Sequence, residues 1–410
     1  MSSKILSAQD IRKFPRRPDG PAKKDMPPPG NVSQFRGLPD RAIITLVLSL
    51  CGFGLMAVFS ASAPESLESY HDPTVYLRRQ AIAFVIGLVL MFSISRQDYR
   101  VLKKYSWPLA LASLVLLMFT LIPGLSVTAQ GSSRWLALGA LQFQPSEFCK
   151  VSSLLLMAAG LSQYFWWHRQ IFMRIVITLV MAAIIVKQPD LGTAMMIMGG
   201  LLSLLYVSGA NSMLLFSSLF GGSWLVWHHI EKTPYQMARI QSWLNPYLSP
   251  QKEGWNIIQA QLAIGSGSLL GVGFGRSLQK LYYLPVQHAD FIFAVIAEEF
   301  GLVGCCVLIG LFALFGYHGF KVALKARTLF GRLLAIGITS SITLQALVNV
   351  MVTTGLVPVT GITLPFISYG GTSLVITMAM VGILLSISRD SGVLPEEDEE
   401  LEPIEARLLR

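Results

Sequence analysis

Residues 42–62 read Ala42-Ile43-Ile44-Thr45-Leu46-Val47-Leu48-Ser49-Leu50-Cys51-Gly52-Phe53-Gly54-Leu55-Met56-Ala57-Val58-Phe59-Ser60-Ala61-Ser62, with no charged side chain. At ~1.5 Å of helical rise per residue, such a run covers the ~30 Å hydrocarbon core of a bilayer. The same grain recurs outward from it. Apolar segments lie near 42–62, 80–96, 106–123, 146–164, 173–188, 191–208, 212–230, 291–317, 333–354 and 372–388. The expected fold class is therefore an all-α polytopic integral membrane protein of about ten transmembrane helices.

Composition points the same way. Hydrophobic residues make up 53% of the 410 and charged residues 13%, about half the usual charged share of a soluble domain; mean hydropathy is +0.56. The net charge of +9 could advertise a nucleic-acid binder, but its distribution argues for loops beside a membrane. Residues 1–41 carry Arg12-Lys13, Arg16-Arg17 and Lys23-Lys24 among prolines and hold no apolar run like a signal-peptide core. They read as a disordered basic cytoplasmic arm. Arg96, Arg100, Lys103 and Lys104 follow the second segment, His168, Arg169 and Arg174 the fourth, and Lys321, Lys325, Arg327 and Arg332 the eighth. All fall on one side, which the positive-inside rule makes cytoplasmic. Both termini then lie there, and 391–410, with Glu396-Glu397-Asp398-Glu399-Glu400, is an acidic cytoplasmic tail.

One connection breaks the pattern. Residues 231–290, between the seventh and eighth segments, form a large extracytoplasmic loop whose 257–275 stretch is moderately apolar and glycine-rich. It reads as an ordered cap or re-entrant segment, since irregular backbone at membrane depth needs protein or water around it.

Chemistry is found by elimination. Cys51, Cys149, Cys305 and Cys306 sit in apolar runs without metal-ligand or disulfide spacing. Gly271-Val272-Gly273-Phe274-Gly275-Arg276-Ser277 lacks the first glycine and the lysine of a phosphate loop, so nucleotide binding is rejected. Among the carboxylates of the body, Glu147, Asp190, Asp290, Glu298 and Glu299 abut or enter apolar segments, where an ionisable group is costly and functional by default. Glu147 follows Pro145, with Lys150 one helical turn on; an ion pair that orients the fourth helix is weighed against a substrate contact. Asp190 stands where a cap for the sixth helix is needed, and Lys187 beside it is placed for a lipid phosphate.

Asp290 closes the outer loop in Leu284-Pro285-Val286-Gln287-His288-Ala289-Asp290-Phe291-Ile292-Phe293. At a water-to-lipid step beside an imidazole, its carboxylate is a candidate general base, with an N-cap the bland alternative. Two-carboxylate glycoside hydrolysis wants its partners within about 5 to 10 Å. Glu298 and Glu299, eight and nine residues into the next helix, lie ~12 Å deeper and read as ion-pair or hydrogen-bonded groups of the bundle. The broken stretch 361–373, with Ser368, supplies hydroxyls for a polar cavity or forms a plain turn.

These motifs together resemble a known family. Arg134-Trp135-Leu136, Gln144-Pro145-Ser146-Glu147 with Lys150, Gln188-Pro189-Asp190-Leu191-Gly192-Thr193, His288 to Phe293 with Glu298-Glu299, and Pro365 to Gly371 occur in the order of the SEDS (shape, elongation, division and sporulation) family. The resemblance covers residues 40–390. Gln345 to Val350 and the long arm place the chain nearer the division branch than the elongation branch; Ala289 stands where threonine is common. The resemblance implies a peptidoglycan glycosyltransferase that joins lipid II units by β-1,4 bonds and releases undecaprenyl diphosphate, with Asp290 as the catalytic base. The leaving diphosphate needs positive charge, for which Arg79, Lys150, Lys187, Arg239, Arg276 and Lys280 are outer-side candidates, with His288 and Ser368 as further substrate-binding candidates. Magnesium or manganese could share that work, although the sequence shows no dedicated metal cage. The resemblance also implies a class B penicillin-binding protein and other division proteins as partners, at the septum of the inner membrane. A transporter that flips lipid II is the alternative, because broken helices and intramembrane charges would serve it too.

Overall fold

A computed structural model describes residues 37–122, 126–129, 132–138, 141–251, 254–279 and 289–391. Residues 1–36 of the basic arm, most of the acidic tail and the outer-loop stretch holding Lys280 and His288 lie outside these residues. The helices are α1 (Arg41–Tyr70), α2 (Val75–Ser95), α3 (Val101–Lys104), α4 (Ser106–Phe119), α5 (Pro145–Leu161), α6 (Arg169–Lys187), α7 (Leu191–Val207) and α8 (Ser212–Glu231). They continue as α9 (Pro234–Leu244), α10 (Trp255–Ser266), α11 (Ile292–Lys325), α12 (Leu329–Thr353) and α13 (Gly371–Ser391). Every predicted apolar segment falls on a helix. Six of them, α1, α2, α6, α11, α12 and α13, are long and apolar enough to cross a bilayer, and α4 and α7 are shorter apolar helices.

Local signals set the helix ends. Asp40 accepts from the amides of Ala42 (2.8 Å) and Ile43 (3.2 Å) to start α1, and Thr328 accepts from Gly331 N to start α12, each satisfying donors that a first turn leaves open. Pro145 takes the first position of α5, where its missing N–H costs nothing. The interior is built on α5, whose side chains are almost all buried, with α12 and α13 beside it. The rim faces lipid: of the most apolar stretch of α13, 67% is buried, against 22% for α2. On α8 only Leu215 and Ile230 are buried among the described side chains, while Met213, Phe216, Phe220 and Trp224 are exposed.

Two features were not foreseen. The all-α expectation needs one addition, a three-stranded antiparallel sheet of β1 (Ser126–Ala129), β2 (Ser132–Leu138) and β3 (Leu141–Phe143) in order β1-β2-β3. It folds the connection between α4 and α5 upon itself, pairing backbone groups that a loop of that length would leave open. The second is a break in α11 at Gly301, whose φ of 64° and ψ of −165° lie outside the helical region, a conformation glycine alone adopts without penalty. The predicted re-entrant segment fills the break. Leu302 N and Val303 N, released from the helix, donate to Ser268 O (3.0 Å) and Leu269 O (3.1 Å), while Val272 N and Gly273 N donate to Glu298 O (2.9 Å) and Glu299 O (3.1 Å). The loop after α10 thus replaces the hydrogen bonds that the break removes, which the bilayer interior requires.

Candidate active site

Asp290 is half-buried in the turn before α11, and Phe291 rather than Asp290 holds the cap position of that helix. The turn is fixed by its backbone. Asn349 Nδ2 on α12 donates to Asp290 O (3.0 Å) and to Ile362 O (2.7 Å). Ser368 Oγ donates to Ala289 O (2.6 Å) and accepts from Leu364 N (2.8 Å). One α12 amide and one hydroxyl of the α12–α13 loop therefore hold two consecutive carbonyls, leaving the Asp290 side chain unused by this stapling. Its Oδ2 lies against the loop: a Cβ added at Gly361 would stand 3.6 Å away, and Gly361 itself has φ +73°. Asn349 Oδ1 and Thr360 Oγ1 are buried beside it with no hydrogen-bond partner, a cost the fold carries at this turn.

The loop is held from three directions. Gln345 Nε2 donates to Thr363 O (3.0 Å), one helical turn before Asn349 on the same face of α12. Gln80 on α2 brackets the other end, donating to Ser368 O (3.1 Å) and accepting from Gly370 N (3.2 Å). From outside, Arg239 on α9 donates to Val359 O (3.2 Å) and Trp243 Nε1 to Gly355 O (2.9 Å), so the first part of the outer loop packs over this turn. The sequence reading used Gln345 to Val350 only as a branch marker and, seeking ionisable groups, gave these amides no role at the site. Their signal was nevertheless present, because Gln345 and Asn349 are the uncharged donors spaced i, i+4 in an apolar helix.

The carboxylates and cations fall into separate roles. Glu147 and Lys150 form the foreseen ion pair (2.8 Å), both buried, and Lys150 also donates to Gln345 Oε1 (2.8 Å). Lys150 was also named as a phosphate ligand, yet burial at 2% exposure and two protein partners place it in the helix-orienting role. Asp190 caps α7, accepting from Thr193 N (3.2 Å) and Thr193 Oγ1 (2.9 Å), with Ser146 Oγ at 3.4 Å. Arg134 on β2 donates to Gln188 O (3.1 Å) and to Pro189 O, tying the small sheet to the same corner. A Cβ on Gly192 would approach Thr360 O to 2.9 Å, so the start of α7 also touches the loop beside Asp290.

Glu298 accepts from Ser277 Oγ (2.5 Å) and Leu278 N (2.9 Å), and Glu299 from Ser60 Oγ (2.5 Å), as the bundle-interior reading anticipates. Arg79 is exposed over the Tyr70 ring at 5.6 Å, near Tyr369, while Lys187 and Arg276 are also exposed. Among the described residues no three His, Cys, Asp or Glu side chains come together as a metal cage.

Comparison with known proteins agrees with this arrangement. The sequence model of the cell cycle protein family comprising FtsW, RodA and SpoVE matches residues 41–392. A probable peptidoglycan glycosyltransferase FtsW of Trichlorobacter lovleyi is 36% identical, covering 87% of this chain and 94% of its own length. Stage V sporulation protein E of Bacillus subtilis is 38% identical over 86% of this chain and 98% of its own. Among solved structures, a chain of a peptidoglycan synthase complex, described as coordinating polymerization and crosslinking, superposes with a TM-score of 0.72 at 32% identity. That match covers 86% of this chain and 98% of the other. The rod shape determining protein RodA of Thermus thermophilus gives 0.65 at 30% identity, covering 86% and 97%. With its apolar spans, broken α11 and stapled outer turn, the chain is a multi-pass membrane protein of the FtsW, RodA and SpoVE family.

Proposed function

We propose that this protein is a peptidoglycan glycosyltransferase that polymerises lipid II, with Asp290 as its base. The observation that carries the reading is the half-buried carboxylate on a turn whose backbone is fixed by Asn349 and Ser368. A carboxylate carried on a turn whose backbone is fixed is held in one place for proton transfer. Asp290 takes the proton from the C4 hydroxyl of an acceptor N-acetylglucosamine, and the oxygen attacks C1 of the growing strand's terminal N-acetylmuramic acid. The C1–O bond to the diphosphate breaks, undecaprenyl diphosphate leaves with the electron pair, and inversion gives the β-1,4 link. Arg79 and Arg239 flank this turn from α2 and α9, and Lys187 and Arg276 are exposed cations available to the departing charge. The described residues build no protein cage for magnesium or manganese, and no step is assigned to a metal.

The relatives named FtsW and the synthase-complex neighbour support septal wall synthesis with a class B penicillin-binding protein that cross-links the product. The basic loops support both termini on the cytoplasmic side of the inner membrane, with ten spans. The test is polymerisation of labelled lipid II by the full chain with its cognate transpeptidase, comparing wild type with Asp290→Asn. Because the staples bind main-chain carbonyls, the variant keeps its turn. Glycan synthesis is expected to fall by about 100-fold or more. Wild-type polymerisation by the variant would reduce Asp290 to a structural residue. Lipid II crossing liposomes without polymer, from either protein, would favour a transporter. Filamentation on depletion, rather than rounding, checks the division assignment.

A further inference from the structure

Arg174 lies in the second turn of α6, at the edge of the bundle that the positive-inside rule assigns to the cytoplasm. It is 5% exposed. Its guanidinium donates from Nη1 to Leu156 O (2.6 Å) and stands 5.2 Å from the Trp107 ring centre, while its Nε is buried without a partner. No carboxylate pairs with it among the described residues. In the sequence, Glu147 is the one acid between Asp98 and Asp190, and Lys150 occupies it. A buried cation without a counter-ion costs several kcal/mol unless something supplies the charge.

The surroundings add positive charge. Lys103 on α3 is half-buried, and burial first, then the nearby Arg174 charge, holds its ammonium below the usual lysine range. Lys104 and Arg169 are exposed at the same edge, and neither makes an ion pair among the described residues. Arg174 Nε packs against Gly160 of α5, so it is the two like charges held near one another, with no carboxylate between them among the described residues, that favour an anion at this corner. On the connection before α6 and on the outward face of α6, Phe165, Trp167 and Phe172 are exposed at 53%, 66% and 66%. Exposed aromatic rings beside basic side chains mark the headgroup level of a bilayer.

We infer that Arg174 and Lys103, at the α3–α4–α5–α6 corner, bind the phosphate of an anionic phospholipid of the cytoplasmic leaflet. Arg174 supplies the desolvated guanidinium, for which phosphate geometry is well matched. Lys103, with Lys104 and Arg169 outside it, supplies the charge that separates an anionic from a zwitterionic headgroup. This site lies away from Asp290 and does not depend on the polymerase reading.

The test uses the full chain in detergent, with phosphatidylglycerol or phosphatidylcholine added and retained lipid counted by native mass spectrometry alongside thermal unfolding. Phosphatidylglycerol should be retained preferentially and should raise Tm, while phosphatidylcholine should do neither. Arg174→Gln should weaken retention by about tenfold or more, and the half-exposed Lys103→Gln by about fivefold. Should Arg174→Gln fail to fold, Lys103→Gln decides alone, with its fold checked by circular dichroism. Equal retention of the two lipids, or undiminished retention by a folded Lys103→Gln or Arg174→Gln, overturns the proposal. A Tm rise of the same size with inorganic phosphate alone also overturns it, in favour of a free-anion site.

Discussion

Lys150 and Arg174 are both buried cations in apolar helices, and they are completed differently. Lys150, 2% exposed, meets Glu147 and Gln345, so its charge and its donors are used inside the bundle. Arg174, 5% exposed, has one backbone carbonyl, the face of Trp107 and an orphaned Nε. The difference teaches how to sort buried charge. Where the chain itself closes the shell, the charge orients helices. Where the chain supplies no counter-ion, as at Arg174, the partner is the lipid phosphate proposed above.

The sharpest way to break this contrast is Lys150→Met. It leaves Glu147 buried and unpaired, and a loss of about 3–5 kcal/mol is expected, read as a large drop in Tm in detergent. Adding Glu147→Gln should recover most of it; no recovery would show that Lys150 does not serve Glu147. Next comes Asn349→Leu, which removes the amide that joins Asp290 O to Ile362 O. About 1–3 kcal/mol of stability should go with the two orphaned carbonyls, and the polymerisation rate should fall more than lipid II binding does. A loss confined to stability would reduce Asn349 to packing.

A smaller effect is expected from Gly361→Ala, which forces a Cβ onto φ +73° and toward Asp290 Oδ2. The cost should be about 1–2 kcal/mol from the backbone conformation, since the Cβ itself makes only an ordinary contact with Asp290 Oδ2; activity should fall only as far as the turn shifts. The smallest is Arg174→Gln in detergent without added lipid. Since no carboxylate is stranded and an uncompensated buried charge is removed, the variant should be no less stable than wild type, with a gain expected where nothing supplies the counter-charge, against the loss for Lys150→Met. A loss as large as that of Lys150→Met would place Arg174 among the structural charges.

Much of the molecule was readable before any coordinates. Each long apolar run became a helix because the bilayer rewards one pattern, and the Asp190 cap and Glu147–Lys150 pair followed from spacing within a single helix. The motif order carried the family and drew attention to Asp290. What escaped were the arrangements that depend on partners distant in the chain. Asn349 on α12 and Ser368 in the following loop reach Asp290 and Ala289 across 59 and 79 positions; both residues stood out in the sequence, but the carbonyls they hold did not. The small sheet was missed because short strands between spans carry a weak signal. Lys150 invited a phosphate role because its type was visible and its burial was not.

The sequence by itself determined that this chain spans a membrane many times, which of its ends are basic, and which family it joins. Those properties rest on composition, local periodicity and residue order. Only the tertiary structure decided which polar groups are spent on one another and which remain for a guest. That depends on Gly301 letting α11 accept the re-entrant loop, and on α12 bringing Asn349 to the Asp290 turn. It also depends on α4, α5 and α6 closing around Arg174 without a carboxylate. Satisfaction of a buried donor is settled by atoms that meet in space, so no single stretch of sequence records it.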